Sequence, residues 1–260
     1  MARPIVFIHG MWCTGANFSR LVEILKARGH ACYAPSLPAH EVGVEHPEVG
    51  TQSVADYLAF LEDYVRRQGF AEPPILIGHS MGGLLAQQLA ARINPFALVL
   101  LTTAAPSGTF GLRLSNVWSF TPVALRWGWW RRPQKLSYRG YVNRAYNGVP
   151  VEKHRKLYEG MVEESGRVVL EIAFWFLAGG KATRVDASAI RCPVYIVSSG
   201  EDRLTPASVI RRLAAKHYPH ASLRHWPHRG HWVLDDADTD EMTAEIANWL
   251  QGHEARMKRA

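Results

Sequence analysis

Short, solidly apolar runs rich in β-branched residues alternate along this chain with longer stretches whose apolar positions return every three or four residues. Pro4–Ile8, Ala31–Pro35, Ile75–Ile77, Phe96–Leu101, Val194–Ser198 and Ser222–Trp226 have the length and composition of strands. The intervening stretches have the helical period. Phe18, Leu21, Val22 and Leu25 share a face in Gly15–Arg28, and Val54, Leu58, Leu61 and Val65 follow a capping Ser53. Leu84, Leu85, Leu89 and Ala90 mark a third helix and Pro206–His217 a later one. A closing helix is predicted from Asp238 to Gln251, with Gly252 as its stop. Strands that are apolar throughout belong to a sheet covered on both faces. Six strand–helix alternations therefore predict an α/β fold with a mostly parallel sheet between helical layers.

The alternation lapses between the fourth and fifth strands. Residues 107–187 read as an inserted helical cap, leaving 1–106 and 188–260 as the core. Pro150 opens a helix with Leu157, Tyr158, Met161 and Val162 on one side, and Arg167–Leu177 reads as a more buried helix. Gly108, Gly111, Gly179 and Gly180 lie near the ends of the insertion, where a moving lid would pivot.

Composition changes this picture little. With 47% hydrophobic and 20% charged residues in 260, the chain reads as a soluble globular protein. The strand pattern starts almost at once, without a signal-peptide pattern, and no apolar run approaches a membrane span, so a cytoplasmic location is expected. Cys13, Cys32 and Cys192 are odd in number and widely spaced, which suits reduced thiols rather than a metal site. The net charge of +7 points toward anionic partners.

The candidate chemistry starts at Gly78-His79-Ser80-Met81-Gly82, a G-x-S-x-G pentad between a predicted strand and a predicted helix. Such a turn holds its central residue in a strained conformation with the hydroxyl pushed out, at a helix N-terminus that favours developing negative charge. A Cβ at position 78 or 82 would collide across the turn. A hydroxyl needs a base, and the base needs a carboxylate to fix its tautomer. Asp202 follows the fifth strand and is the acid candidate, with Glu201 as its neighbouring rival. His231, after Gly230, is the base candidate, with His228 as rival; Gly230 lets the backbone bend so that the imidazole reaches back over the sheet. A metal reading of His225, His228 and His231 lacks a nearby carboxylate or cysteine. His9, Ser80, Asp202 and His231 all fall just after predicted strands, where open α/β sheets place their sites.

Taken together, His9-Gly10-Met11-Trp12, Gly78-His79-Ser80-Met81-Gly82-Gly83, Gly200-Glu201-Asp202 through Pro206, and Gly230-His231 resemble the α/β-hydrolase superfamily, in its branch of small capped serine esterases and lipase-like enzymes. The resemblance implies a three-layer fold with Ser80, Asp202 and His231 as the catalytic residues. It also implies an oxyanion hole from the amides of Met81 and Met11, with Trp12 as the other candidate donor, and a reaction without metal or cofactor. The family usually has two further strands before the His-Gly loop, so a reduced sheet of about six strands is expected. Where many relatives read Leu-Pro-Gly-His-Gly, this chain has Leu37-Pro38-Ala39-His40-Glu41, and His40 reads as a turn residue ahead of one near the site.

The first half of the cap is unusual. From Pro95 to Val151 there is no Asp or Glu, while seven Arg and Lys residues are interleaved with Trp118, Trp127, Trp129 and Trp130. Three readings fit: tryptophans packing the cap with arginines stacked on them, an apolar pocket with a cationic rim for anionic substrates, or contact with an anionic membrane surface. No nucleic-acid motif accompanies the charge. Trp12, Trp118, Trp129 and Trp175 are the candidate substrate-binding residues, and the expected substrate is a small hydrophobic ester.

Overall fold

The structure, a computed structural model, describes residues 2–109 and 127–257. The first half of the chain runs β1 (Ile5–Ile8), α1 (Ser19–Ala27), β2 (Cys32–Tyr33), α2 (Val54–Gln68), β3 (Ile75–His79), α3 (Met81–Ile93) and β4 (Ala97–Leu101). The inserted part holds β5 (Pro133–Gln134), α4 (Tyr138–Arg144), α5 (Val151–Glu159), β6 (Glu164–Ser165) and α6 (Gly166–Ala173). The chain then returns through β7 (Val194–Ser199), α7 (Ala207–His217), β8 (Ser222–Trp226) and α8 (Thr239–Met257).

β2-β1-β3-β4-β7-β8 form a six-stranded sheet in which every pairing is parallel. The strand pleat divides each solid apolar run between two cores. Ile5, Phe7, Ile75, Ile77, Val99 and Leu101 face α1 and α8, meeting Leu21, Leu25, Ile246 and Leu250. Val6, Ile8, Leu76, Leu98 and Leu100 face α2, α3 and α7, meeting Leu58, Leu85, Leu89, Ile210 and Leu213. This is the predicted three-layer arrangement. β5 and β6 add a short antiparallel hairpin to the cap.

Two predicted helix ends differ. α8 continues through Gly252 to Met257, with the His253 ring against Trp249 at 4.6 Å. Gly252 has open space around it rather than a C-cap conformation, so nothing there stops the helix. α6 ends at Ala173 instead of Leu177, because Phe174 leaves the helical conformation at φ −122°, ψ 36°.

Between β1 and β3 the strand order reverses: β2 lies to one side of β1, and the later strands extend from β3 on the other. Ligand sites of open α/β sheets lie outside the carboxyl ends of the strands at such a point. Gly10 leaves β1 there, and Ser80 leaves β3 beside it.

Candidate active site

Ser80 joins β3 to α3 with φ 54° and ψ −120°, a strained conformation for a residue with a side chain. Backbone hydrogen bonds hold it there. Its N–H donates to the Leu101 carbonyl (3.0 Å), and its own carbonyl accepts from Gly83 (2.9 Å) and Ala104 (2.8 Å). The flanking glycines have distinct steric reasons. A Cβ on Gly78 would sit 2.3 Å from the Gly82 carbonyl oxygen, across the turn as predicted. A Cβ on Gly82 would instead sit 1.9 Å from the Ile8 carbonyl oxygen, so that glycine lets α3 press onto β1. Gly10 also approaches closely, its position for a Cβ lying 3.0 Å from Ser80 Cβ.

Asp202 and His231 meet across the ends of β7 and β8, with His231 Nδ1 2.8 Å from Asp202 Oδ2 and both side chains buried. Oδ1 of Asp202 accepts from the amides of Leu204 (2.8 Å) and Thr205 (2.7 Å), which fixes the carboxylate plane. The Thr205 hydroxyl lies 2.7 Å from Oδ2. The carboxylate is acceptor-only when ionised, so Nδ1 donates to it and the Nε2 lone pair is left free. The backbone of His231 is clamped in turn: its carbonyl accepts from His79 Nε2 and Thr102 Oγ1, both at 3.1 Å. Burial and the neighbouring His231 push His79 down to about 3, so it is a neutral strut. The rival Glu201 is exposed, its backbone tied to Arg229 and Asn147. His228 is exposed.

The reason for Gly230 also differs from the sequence argument. Its φ is not positive; a Cβ there would lie 1.8 Å from the Asn147 carbonyl oxygen. The residue is small because the cap presses on it.

Ser80 and His231 line one cavity with Gly10, Met11, Trp12, Cys13, His79, Leu136, Tyr141, Ala145, Leu204 and Trp232. Its walls are mostly apolar, and four of these residues come from the cap or the loop after β7. Met81 stands at the first position of α3, directly after Ser80, and Met11 follows Gly10 in the β1 loop. Of the four predicted substrate-binding tryptophans, Trp12 lines the cavity. Trp118 lies outside the described residues. Trp129 is buried against Trp130 and Phe174, and Trp175 packs beside Phe176 and Gly180; neither lines this cavity. Tyr141 takes a place the sequence reading did not assign, edge-on to Trp12 at 5.8 Å. Cys13 is buried at the wall with its thiol pushed up by desolvation and by nearby Glu164, so it is an inert filler.

A buried polar network underlies the β1 loop. His40 closes a turn, its N–H donating to the Leu37 carbonyl (3.1 Å), but it is buried: its Nδ1 donates to the Pro38 carbonyl (2.8 Å), and its Nε2 lies 3.3 Å from Glu164 Oε2. Both side chains are inaccessible to solvent. The other Glu164 oxygen accepts from Tyr57 and from the Ser165 amide, each at 2.7 Å. Burial opposes a charge on His40, but the Glu164 carboxylate and the hydrogen bonds to it and to Pro38 outweigh that, and its pKa is raised. The His40 ring packs 5.1 Å from His9. His9 accepts from the Leu37 amide at Nε2 and donates from Nδ1 to the Gly10 carbonyl, both at 2.9 Å. Burial, followed by the charge on His40, lowers His9 to about 3. The cap hairpin holds the same loop from above: Val162 N–H donates to the Trp12 carbonyl and Trp12 Nε1 to the Gln134 carbonyl, both 2.9 Å.

Over 33% of its length the chain is 38% identical to a pyrethroid hydrolase of Sphingobium wenxiniae, a match spanning 30% of that protein. Over 95% of its length it is 25% identical to the magnesium-chelatase 30 kDa subunit of Rhodobacter capsulatus, covering 87% of it. Among solved structures, the methylesterase MES16 from Arabidopsis superposes with a TM-score of 0.74 at 13% identity, over 96% of this chain and 99% of that one. The family model described as alpha/beta hydrolase family matches residues 5–245, nearly the whole six-stranded core and its insertion, and the chain belongs to that family.

Proposed function

We propose that the protein is a serine hydrolase of carboxylic esters with hydrophobic acyl or aryl groups. The observation that carries this reading is the 2.8 Å contact of His231 with Asp202 at the wall of a cavity that Ser80 also lines. Ser80 Oγ attacks the ester carbonyl while His231 Nε2 takes its proton; Asp202 holds the imidazole and stabilises its charged form. The amides of Met11 and Met81 receive the oxyanion, with Trp12 as the alternative to Met11. Collapse expels the alcohol, protonated by His231. Water, deprotonated by the same base, then releases the acid and restores Ser80. These side chains supply every proton transfer, so the scheme needs no cofactor.

The apolar walls (Trp12, Leu136, Tyr141, Leu204 and Trp232) support a hydrophobic substrate. Names such as pyrethroid hydrolase and methylesterase among its relatives and structural neighbours support ester cleavage. Thioesters, lactones and carbon–carbon bonds would use the same residues. A panel of p-nitrophenyl esters of increasing chain length, run beside acyl-CoA and lactone substrates, ranks them. The near full-length match to a magnesium-chelatase subunit favours one reading of another class, a non-catalytic ligand-binding subunit on this fold. A fluorophosphonate probe separates the two. Its adduct should map to Ser80, and Ser80→Ala should lower kcat by about 10⁶. No adduct, with ester turnover unchanged in the variant, would remove Ser80 from the reaction.

A further inference from the structure

We propose that one face of the cap, carrying Trp127, Trp130, Arg131, Arg132, Phe176 and Leu177, docks the protein on an anionic lipid surface.

The structure divides the basic, tryptophan-rich block into two parts. Trp129 is core: it is 6% exposed and wedged against Phe174. Trp127 is 88% exposed, and among the described residues its ring meets the edge of Trp130 at 5.2 Å. Packing the cap accounts for the first and not for the second. Leu177 and Phe176 are 70% and 47% exposed, and two connections link them to Trp130. Rings lead from Trp130 through Trp129 and Phe174 to Phe176, with centroids about 6 Å apart at each step. Trp130 and Ala178, the residue after Leu177, also line one surface depression of about 340 Å³. Trp127 meets Trp130 and Leu177 precedes Ala178, so large apolar side chains left in water flank two lining residues of one depression, a patch rather than scattered exposure.

The charge on this face selects its partner. Arg131 and Arg167 line the depression with Thr51. Glu171, its one acidic wall residue, is already engaged by Arg167 at 3.1 Å and by the Val54 amide at 2.8 Å. Arg131 and Arg132 are exposed, and among the described residues neither has a carboxylate within ion-pair distance. Exposed indole and aliphatic groups ringed by arginine suit the boundary between headgroups and acyl chains, where the apolar part inserts and the guanidinium meets phosphate. Among the described residues no helix is long and apolar enough to cross a membrane, so the contact is peripheral. The cationic surroundings disfavour a second copy of the same face, which would bring like charges together.

Flotation of the whole protein with phosphatidylcholine vesicles, and with vesicles containing about a third phosphatidylglycerol, tests this. Binding should appear on the anionic vesicles and collapse in high salt. R131Q/R132Q removes two surface charges and should weaken partitioning about thirty-fold. W127A/L177S should weaken it on the same vesicles while leaving hydrolysis of a short, water-soluble ester unchanged, since neither residue lines the cavity of Ser80. Equal binding to neutral and anionic vesicles, or binding indifferent to both double variants, would overturn the proposal. So would a concentration-dependent dimer that these substitutions abolish without any vesicle binding.

Discussion

Glu164 offers a test of how the cap is fastened, because two substitutions there should behave very differently. Its carboxylate faces His40 at 3.3 Å through one oxygen and accepts from Tyr57 and the Ser165 amide at 2.7 Å through the other. Glu164→Ala removes all three partners at a site with no access to solvent. Breaking a buried pair from one side costs about 3–5 kcal/mol, which for a chain of this size lowers Tm by about 6–20 °C. Glu164→Gln keeps an acceptor for Tyr57 and Ser165. Its amide N–H₂ can donate to Nε2 of a neutral His40, whose Nδ1 still donates to Pro38. That exchange should cost no more than about 1.5 kcal/mol, or about 3–6 °C. The pH dependence has a definite sign. His40 is raised in the folded state, so the stability it contributes is complete below the ordinary imidazole pKa, near 6.5, and is lost as pH rises through the raised value. Thermal unfolding at pH 6 and pH 9 should therefore show the wild type's advantage over Glu164→Gln shrinking at the higher pH. Equal Tm values for the Ala and Gln variants, or an advantage that grows with pH, would refute the buried ion pair.

Other expectations follow from single contacts. In Asp202→Asn the amide oxygen should stay with the Leu204 and Thr205 amides, turning N–H₂ toward His231 Nδ1; the imidazole then carries its proton on Nε2 and cannot accept one from Ser80, so kcat should fall by about 10⁴ with little change in Tm. Gly82→Ala places a Cβ 1.9 Å from the Ile8 carbonyl and should cost more than about 3 kcal/mol, read by urea unfolding. Iodoacetamide at pH 8 should leave Cys13 unmodified by mass spectrometry until the protein is unfolded, since burial pushes its thiol up. Hydrogen exchange should find the amides of Val162 and Trp232 as protected as core strands, because they carry cap-to-core hydrogen bonds.

What the sequence could convey depended on how local the cause was. Solid apolar runs place strands because burial on both faces leaves a mark on every residue, and G-x-S-x-G marks Ser80 because its turn tolerates few side chains. The order of Ser80, Asp202 and His231 also survives in the linear chain. His40 and Glu164 do not show themselves, since they are 124 positions apart and each alone resembles a surface residue. Gly230 was legible as a constraint and misread as to cause: the obstacle is Asn147, and no local pattern reports a neighbour 83 positions away. Thr205 and Tyr141 went unassigned for the same reason. The stop expected at Gly252 failed because glycine permits a helix end without requiring one.

These contacts bear on what kind of cap this is. Glycines at both ends of the insertion suggest a lid that swings as a unit. The hydrogen bonds argue otherwise. Val162 N–H binds the Trp12 carbonyl beside the cavity, and Trp232 N–H binds the Ala145 carbonyl one residue after His231. Asn147 Nδ2, just after α4, donates to the Glu201 carbonyl, and Arg203 Nη1 donates to the Asn143 carbonyl within α4, so both tie this part of the cap to the loop carrying Asp202, each at 2.8 Å. With the Glu164 pair added, a rigid swing would break contacts to the loops after β1, β2, β7 and β8 at once and leave buried groups unpaired, at a cost of several kcal/mol. The hairpin and α4 therefore act as fixed walls of the cavity. Substrate preference should follow the side chains these segments place there, Leu136 and Tyr141 above all, more than the rate at which a lid opens.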